Sequence, residues 1–204
     1  MVAIAFASCE NTYMAQHAAG IRLRDRLLCR FGLNPAAYAF EKTKEGKPYA
    51  AGAPFHFSIS HSAELCCCAV STDAHFSKED PSASHAIVLQ PDPCMPTTWM
   101  WENGTLLFPE VTGNIGVDIE KVDFSADPLR LEKIAKRYLH CADAPSNANE
   151  FYRLWTRQEA YGKYTGEGFL ARPSSNTILT SFRLQQGEDT YFLSLAYSAQ
   201  AGTA

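Results

Sequence analysis

The stretch Ile115-Gly116-Val117-Asp118-Ile119-Glu120 alternates apolar residues with carboxylates. Because side chains two positions apart on a β-strand share a face, Asp118 and Glu120 can project together while the neighbouring valine and isoleucine are buried. Two adjacent carboxylates repel each other unless a cation lies between them, and hard divalent cations prefer such oxygen ligands. The solvated polar face of an edge strand would show the same spacing, so the pattern alone leaves both interpretations open.

A third carboxylate lies on a predicted helix over Glu150–Tyr164, which Gly166-Glu167-Gly168 closes. Glu159 and Lys163 are four positions apart and therefore share one face of this helix. A surface ion pair is the simplest explanation of that spacing. However, aromatic residues precede Glu159 by four and by seven positions, so this face of the helix is not simply polar.

Hydroxyl groups mark the end of another predicted strand, at Ser58-Ile59-Ser60-His61-Ser62, for which Leu65–Val70 is the expected hairpin partner. Side-chain hydroxyls and free backbone N–H groups at such an end can bind a phosphate. A single histidine is also compatible with a purely structural role. Upstream, Gly46-Lys47-Pro48 predicts a turn.

Further elements are predicted around these motifs. Strands are expected at Val2–Ser8, Ser181–Leu184 and Tyr191–Tyr197, the last two as a closing hairpin, and helices at Gln16–Phe31 and Pro128–Leu139. The proline-rich segment 72–112 indicates an irregular, partly extended insertion. The order of elements repeats coarsely, which predicts an N-terminal half over 1–112 and a C-terminal half over 113–204, although no sequence repeat is visible.

Composition limits the functional classes. The 204 residues are 46% hydrophobic and 20% charged, as in ordinary globular proteins. A formal net charge of -4 provides no broad basic field, so a nucleic acid partner is not expected. The first apolar run, Val2 to Ala7, is too short to span a membrane, and we predict a cytoplasmic protein without a membrane partner.

The seven cysteines are interpreted as small buried or half-buried apolar residues. Their number is odd, no Cys-x-x-Cys pair occurs, and Cys66, Cys67 and Cys68 are contiguous. Contiguous residues of a strand point to alternating faces, so these three cannot all bind one ion.

In their order along the chain, the four motifs resemble the 4'-phosphopantetheinyl transferase superfamily, and more closely its larger, monomeric, surfactin-synthetase-activating class. The resemblance covers about residue 20 to residue 185, apart from segment 72–112. It implies an α+β fold of two similar halves related by a pseudo-twofold axis. Each half would be a small antiparallel sheet packed with helices, with the active site in the cleft between them.

The resemblance also implies an activity, namely Mg²⁺-dependent transfer of 4'-phosphopantetheine from coenzyme A to a serine of an acyl or peptidyl carrier protein. Adenosine 3',5'-bisphosphate would be released. Asp118, Glu120 and Glu159 correspond to the metal ligands of the family. Glu159 is also the candidate general base, and Lys163 corresponds to the lysine that faces the transferred phosphate, so these two are the predicted catalytic residues.

Coenzyme A would be held mainly by the N-terminal half. Lys47, Ser60 and His61 match the family's coenzyme A-binding motifs. Larger members of the family carry phosphate-binding cations in the stretch that corresponds to Ser8–Gly20, which has no lysine or arginine here. Arg22 is the nearest substitute.

Two regions bear on partner and activity. Arg130, Lys133, Lys136 and Arg137 lie on the predicted helix near which the family places its acidic carrier, although a solvated helix face would look the same. Gln158 stands where the family usually has lysine, and we expect Gln158→Lys to raise the specificity constant for coenzyme A modestly, unless residue 158 points away from the phosphates.

Two other functions remain open from the sequence. One is a catalytically weak coenzyme A- or carrier-binding protein with the same fold. The other is a Mg²⁺-dependent phosphohydrolase that uses the same carboxylates to activate water.

Overall fold

A computed structural model describes residues 1–76, 87–91, 99–102, 104–139 and 144–198. The strands are β1 (Val2–Ser8), β2 (Phe40–Lys42), β3 (Pro48–Ala50), β4 (Phe55–Ser62), β5 (Leu65–Thr72), β6 (Val88–Pro91), β7 (Met100–Glu102), β8 (Thr105–Phe108), β9 (Ile115–Lys121), β10 (Thr177–Gln186) and β11 (Asp189–Ser198). The helices are α1 (Tyr13–Arg30), α2 (Pro128–Tyr138) and α3 (Ala148–Thr165), with a 3-10 turn at Pro35–Ala37. No helix in these described ranges is long and apolar enough to cross a membrane.

The first large sheet has five antiparallel strands in the order β4-β5-β1-β8-β7. Helix α1 covers one face of it, and the buried side chains of Leu23 and Leu27 pack there against the alanines of β1. The helix begins where the hydroxyl of Thr12 accepts the N–H of Ala15 at 3.3 Å, which satisfies one of the free donors of the first turn.

The second large sheet has four antiparallel strands in the order β6-β10-β11-β9. Helix α3 packs on β9 and β11. The side chain of Asn147 caps the start of α3 by accepting the N–H of Glu150 at 3.0 Å. Gly166 ends the helix with a φ of 78°, a left-handed conformation that glycine adopts without strain.

The remaining faces of the two sheets pack against each other through one apolar core. Ile4 of β1 and Leu65 of β5 are fully buried there with Val117 of β9. Cys67 belongs to this core, whereas Cys66 and Cys68 face α1 on the other side of β5. All three thiols are buried, so the interpretation of these contiguous cysteines as apolar residues is confirmed.

The structure confirms the predicted α+β class and shows a helix near each of the three predicted positions. It also confirms both predicted hairpins, β4–β5 and β10–β11. Segment 72–112 departs from the expected irregular insertion, because its described parts contain β6, β7 and β8. Strand β8 pairs with β1, but β6 pairs with β10 of the other sheet. The pseudo-twofold relation of the halves stays a prediction.

Candidate active site at the junction of the two sheets

The edge strands β4 and β9 are connected by hydrogen bonds between side chains of β4 and the backbone of β9. The hydroxyls of Ser58, Ser60 and Ser62 accept hydrogen bonds from the backbone N–H groups of Val117, Ile119 and Lys121, at 3.0, 3.3 and 3.0 Å. We call these three serines the serine ladder. The side-chain oxygens thus stand in for the carbonyl groups of a partner strand and satisfy donors that an edge strand would otherwise leave free.

Asp118 lies at the centre of this junction and is only 3% exposed. Its Oδ1 accepts hydrogen bonds from the Ser60 hydroxyl at 2.7 Å and from the Lys163 ammonium at 2.6 Å. Its Oδ2 is buried and has no hydrogen-bond partner among the described residues. A solvated edge-strand face does not fit a carboxylate so placed.

Glu120 projects from the same face of β9 and is half-buried. The hydroxyl of Ser62 donates to its Oε2 at 2.7 Å. Burial raises the pKa of Glu120 to about 7, and the negative charges of Asp118 and Glu159 add to this rise. The three predicted metal ligands therefore lie close enough to repel one another.

Glu159 and Lys163 extend from α3 toward these carboxylates. Burial raises the pKa of Glu159, and the charge of Asp118 raises it further. Burial works against the Lys163 ammonium, but its contact with Asp118 outweighs burial and leaves the pKa of Lys163 raised. The surface ion pair between Glu159 and Lys163 that the spacing allowed is replaced by a partly buried pair of Lys163 with Asp118.

Close packing of α3 on β9 brings these groups together, and Gly116 makes it possible. A Cβ atom at this position would lie 2.0 Å from the carbonyl oxygen of Ala160 and 2.4 Å from the backbone nitrogen of Tyr164. The helix backbone therefore occupies the space that any other residue at position 116 would need.

The unpartnered Oδ2 of Asp118 indicates whether these residues suit a divalent cation. Within the described ranges, no three Asp, Glu, His or Cys side chains form a ready-made cation site. Nevertheless, Asp118 Oδ2 is a buried carboxylate oxygen without a donor, and such atoms normally have a partner. Together with the mutual repulsion of Glu120 and Glu159, it fits an oxygen-preferring ion such as Mg²⁺.

A cavity of about 290 Å³ lies beside Glu159. Its walls include Lys47, Glu159, Lys163 and the loop that follows α3. The Lys47 ammonium bonds to Asn114 Oδ1 at 3.1 Å and lies within 3.5 Å of two backbone carbonyls. Burial lowers the pKa of Lys47 to about 8, so this cation is held in a partly desolvated place beside the cavity.

The other predicted coenzyme A-binding residues are placed differently. Ser60 is buried within the serine ladder, and its single hydrogen and both lone pairs are engaged. His61 is half-buried, and burial lowers its pKa, as does the nearby Lys163 charge. Arg22 is exposed on α1, where its charge acts on the Cys9 thiol. Among the described residues, no hydrogen bond or ion pair connects Arg22 with the carboxylates.

Gln158 does not face the carboxylates. Its side chain is buried, and its Nε2 donates to the carbonyl oxygens of Phe169 and Ala171, at 2.5 and 2.7 Å. The amide therefore fastens the loop after α3, which forms one wall of the cavity. Gln158→Lys is therefore no longer expected to raise the specificity constant for coenzyme A, because residue 158 points away from the predicted phosphate site.

A second groove, of about 310 Å³, lies between α2 and α3, and Glu120 is one of its lining residues. Its lining includes the apolar side chains of Leu131, Ile134 and Trp155, together with Asp123 and Arg130. The four basic residues of α2 are exposed. Helix spacing alone did not reveal this groove, because it is lined by residues of two helices.

One comparison with known proteins bears on this site. Residues 114–201 match the model of the 4'-phosphopantetheinyl transferase superfamily. No match was found among curated proteins.

The superfamily match supports the resemblance inferred from the motifs, for less than half of the chain and without indicating a class within it. The matched range contains Asp118, Glu120, Glu159 and Lys163. Lys47, Ser60, His61 and Arg22 lie outside it. Two residues that were not predicted from the sequence also shape the site. The hydroxyl of Ser62 donates to Glu120, and Gly116 allows α3 to pack closely on β9.

Proposed function

We propose that this protein transfers the 4'-phosphopantetheine group from coenzyme A to a serine of an acyl or peptidyl carrier protein and releases adenosine 3',5'-bisphosphate. The observation that carries the proposal is the partly buried cluster of Asp118, Glu120, Glu159 and Lys163, inside the range that matches the transferase superfamily. We further propose that the protein belongs to the larger class of the family and acts as a cytoplasmic monomer.

In the proposed reaction, the carrier serine oxygen attacks the phosphorus that bears the pantetheine arm. A new P–O bond forms, and the P–O bond to the adenosine bisphosphate breaks. Asp118, Glu120 and Glu159 would hold Mg²⁺, which supplies charge neutralisation on the pyrophosphate when bound. Glu159 accepts the serine proton, and burial raises its pKa, which makes it a stronger base than an exposed glutamate.

Lys163 would stabilise the negative charge that develops on the phosphate oxygens. Lys163 lines the cavity, and its ammonium is held by Asp118 and Ser60. We assign Ser60 to this positioning task, since its hydroxyl has no bonding capacity left for a phosphate.

Coenzyme A binding is proposed for the cavity beside Lys47. Lys47 and His61 would contact the nucleotide and its phosphates, with Arg22 as a more distant cation on α1. Support comes from the position of Lys47, which lines both this cavity and a neighbouring one of about 370 Å³. The carrier would approach from the opposite side, along the groove between α2 and α3.

The proposal is tested by incubating the protein with coenzyme A, Mg²⁺ and a panel of apo-carrier proteins from fatty acid, polyketide and peptide synthesis. The expected result is a gain in intact carrier mass equal to one phosphopantetheine group. A carrier serine-to-alanine variant is the control. Consumption of coenzyme A without a carrier would instead indicate the phosphohydrolase, and binding without any mass gain would indicate the catalytically weak binding protein.

Charge reversal on α2 should weaken carrier recognition selectively. Lys133 and Arg137 are four positions apart and both exposed. Because docking through surface charge mainly sets the association rate, Lys133→Glu with Arg137→Glu should raise the KM for an acidic carrier roughly tenfold at low salt. The KM for coenzyme A should not change. Steady-state kinetics at two salt concentrations measure both constants.

The matched control carries Arg172→Glu and Arg183→Glu, which change the net charge equally at exposed positions away from α2. It should leave the carrier KM unaltered. Equal carrier constants in the α2 variant, the control and the wild type at low salt would contradict docking on this helix.

Binding of coenzyme A should weaken as the pH rises through about 8. The pKa of Lys47 is lowered to about 8, so its ammonium is present below this pH and lost above it. Each further pH unit should weaken the affinity by up to roughly tenfold as the phosphates lose their cation. Calorimetric titration between pH 7 and 9 measures the effect. Lys47→Arg keeps its charge over this range and should flatten the profile. Parallel profiles for both proteins would rule out Lys47 as the phosphate contact.

A further inference from the structure

The serine ladder does more than join two strands. The hydroxyl of Ser62 accepts the N–H of Lys121 at 3.0 Å and donates its hydrogen to Oε2 of Glu120 at 2.7 Å. Ser58 accepts the N–H of Val117 at the same distance of 3.0 Å, but it donates to no carboxylate of the described residues. The two serines therefore share one structural task, and only Ser62 also contacts an acidic side chain.

We propose that Ser62 is a positioning residue that orients the Glu120 carboxylate for metal binding. This inference rests on the proposed function, in which Glu120 is a ligand of Mg²⁺. The hydroxyl of Ser62 engages Oε2, whereas Oε1 has no hydrogen-bond partner in the described part of the chain. One oxygen is thus fixed by the protein, and the other is left for a cation.

The physical need for such a contact follows from the side chain. Glutamate has three rotatable bonds and loses their freedom when it binds an ion. Its neighbours Asp118 and Glu159 are negative and repel it from the common site. A hydrogen bond from a neutral donor holds the carboxylate in place and leaves its negative charge available to the ion. Outer contacts of this kind commonly change metal affinity by roughly ten- to a hundredfold.

Ser62 is more informative to substitute than Ser60. The hydroxyl of Ser60 contacts both Asp118 and Lys163, so its removal would disturb two groups at once. Ser62 contacts Glu120 alone among the four residues of the cluster. Its location on β4 also means that a strand of the N-terminal half orients a ligand of the C-terminal half.

The experiment compares wild type with Ser62→Ala, Ser62→Thr and Ser58→Ala. Mn²⁺ serves as the probe, and its binding to the full chain is followed by the loss of the free-ion electron paramagnetic resonance signal. The titration is done with and without coenzyme A, because Ser58 lines the proposed coenzyme A cavity. The Mg²⁺ dependence of transfer, the kcat at saturating Mg²⁺ and the Tm are measured for the same proteins. Ser58→Ala is the matched control, because it also removes one acceptor of a β9 N–H group.

Ser62→Ala should weaken Mn²⁺ binding about tenfold and raise the half-saturating Mg²⁺ concentration by a similar factor. The kcat at saturating Mg²⁺ should be nearly unchanged. Ser62→Thr keeps the hydroxyl and should bind Mn²⁺ within about twofold of wild type. Ser58→Ala should lower the Tm as much as Ser62→Ala without altering Mn²⁺ affinity. If Ser62→Ala does not fold, Ser62→Cys keeps the volume and weakens the donor.

Equal Mn²⁺ affinities in Ser58→Ala and Ser62→Ala would overturn the proposal, since the ladder would then be purely structural. A folded Ser62→Thr protein that binds Mn²⁺ as weakly as Ser62→Ala would overturn it as well. Selective loss of Mn²⁺ in Ser62→Ala, in a protein that modifies no carrier, would support the positioning role while the proposed function fails. Absence of Mn²⁺ binding by the wild type would overturn the positioning role.

Discussion

Asp118→Asn is expected to reduce phosphopantetheine transfer by about three orders of magnitude while the protein stays folded. The substitution replaces the unpartnered Oδ2 with an amide NH2 group, which has no lone pair for a cation, and it removes one negative charge from the site. Charge stabilisation by the metal is worth several kcal/mol, and each 1.36 kcal/mol changes the rate about tenfold. Turnover at limiting and at saturating Mg²⁺ measures the loss.

The comparison with Asp118→Ala separates chemistry from stability. The remaining oxygen of asparagine can still accept from Ser60 and Lys163, so the Tm should fall little. Alanine leaves the Lys163 ammonium without its partner, which costs about 3 kcal/mol and lowers the Tm by roughly 6–12 °C for a chain of this size. Wild-type turnover of Asp118→Asn at limiting Mg²⁺ would contradict the metal assignment.

Gly116→Ala is expected to destabilise the protein and abolish activity together. The added methyl group would lie 2.0 Å from a carbonyl oxygen of α3, and backbone atoms of a packed helix cannot rotate away as a side chain can. The helix must therefore move off β9, which separates Lys163 from Asp118. Overpacking of this kind costs about 3 kcal/mol, a loss of roughly 6–12 °C in Tm. Thermal unfolding and transfer assays on the same sample test both effects.

Gly113→Ala provides the control three positions earlier in the chain. Gly113 has a φ of 80°, but no heavy atom of another part of the chain lies within 4 Å of the place that an added Cβ would occupy. Alanine there therefore meets only backbone strain, which costs about 1 kcal/mol and should leave activity intact. If Gly116→Ala were as stable and active as Gly113→Ala, the contact between α3 and β9 would not matter to the site.

Local periodicity explains what the sequence predicted well. The alternation in β9 placed Asp118 and Glu120 on one face, and the i to i+4 spacing placed Glu159 and Lys163 on one face of α3; both arrangements depend on neighbours a few residues away. The resemblance to a transferase family then linked the two elements. The serines at positions 58, 60 and 62 showed the same alternation, but their partners on β9 lie 59 residues further along the chain.

Tertiary contacts explain what the sequence did not predict. The orientation of Gln158 depends on where the loop after α3 folds back, since its two acceptors are the carbonyl groups of Phe169 and Ala171. Gly116 was visible within the motif, but its role depends on the approach of a helix more than 40 residues later. Strand β6 could not be assigned because four exposed or half-buried residues carry little periodicity.

The pairing of β6 with β10 of the second sheet has a consequence for the chain as a whole. Because β6 precedes β7 and β8 but belongs to the other sheet, no single cut in the backbone separates the two sheets into intact units. A fragment that begins at residue 113 would lack β6 and expose the edge of β10, which invites aggregation. The two fragments should instead regain a native assembly only when they are refolded together, and the intact chain should unfold in one cooperative transition.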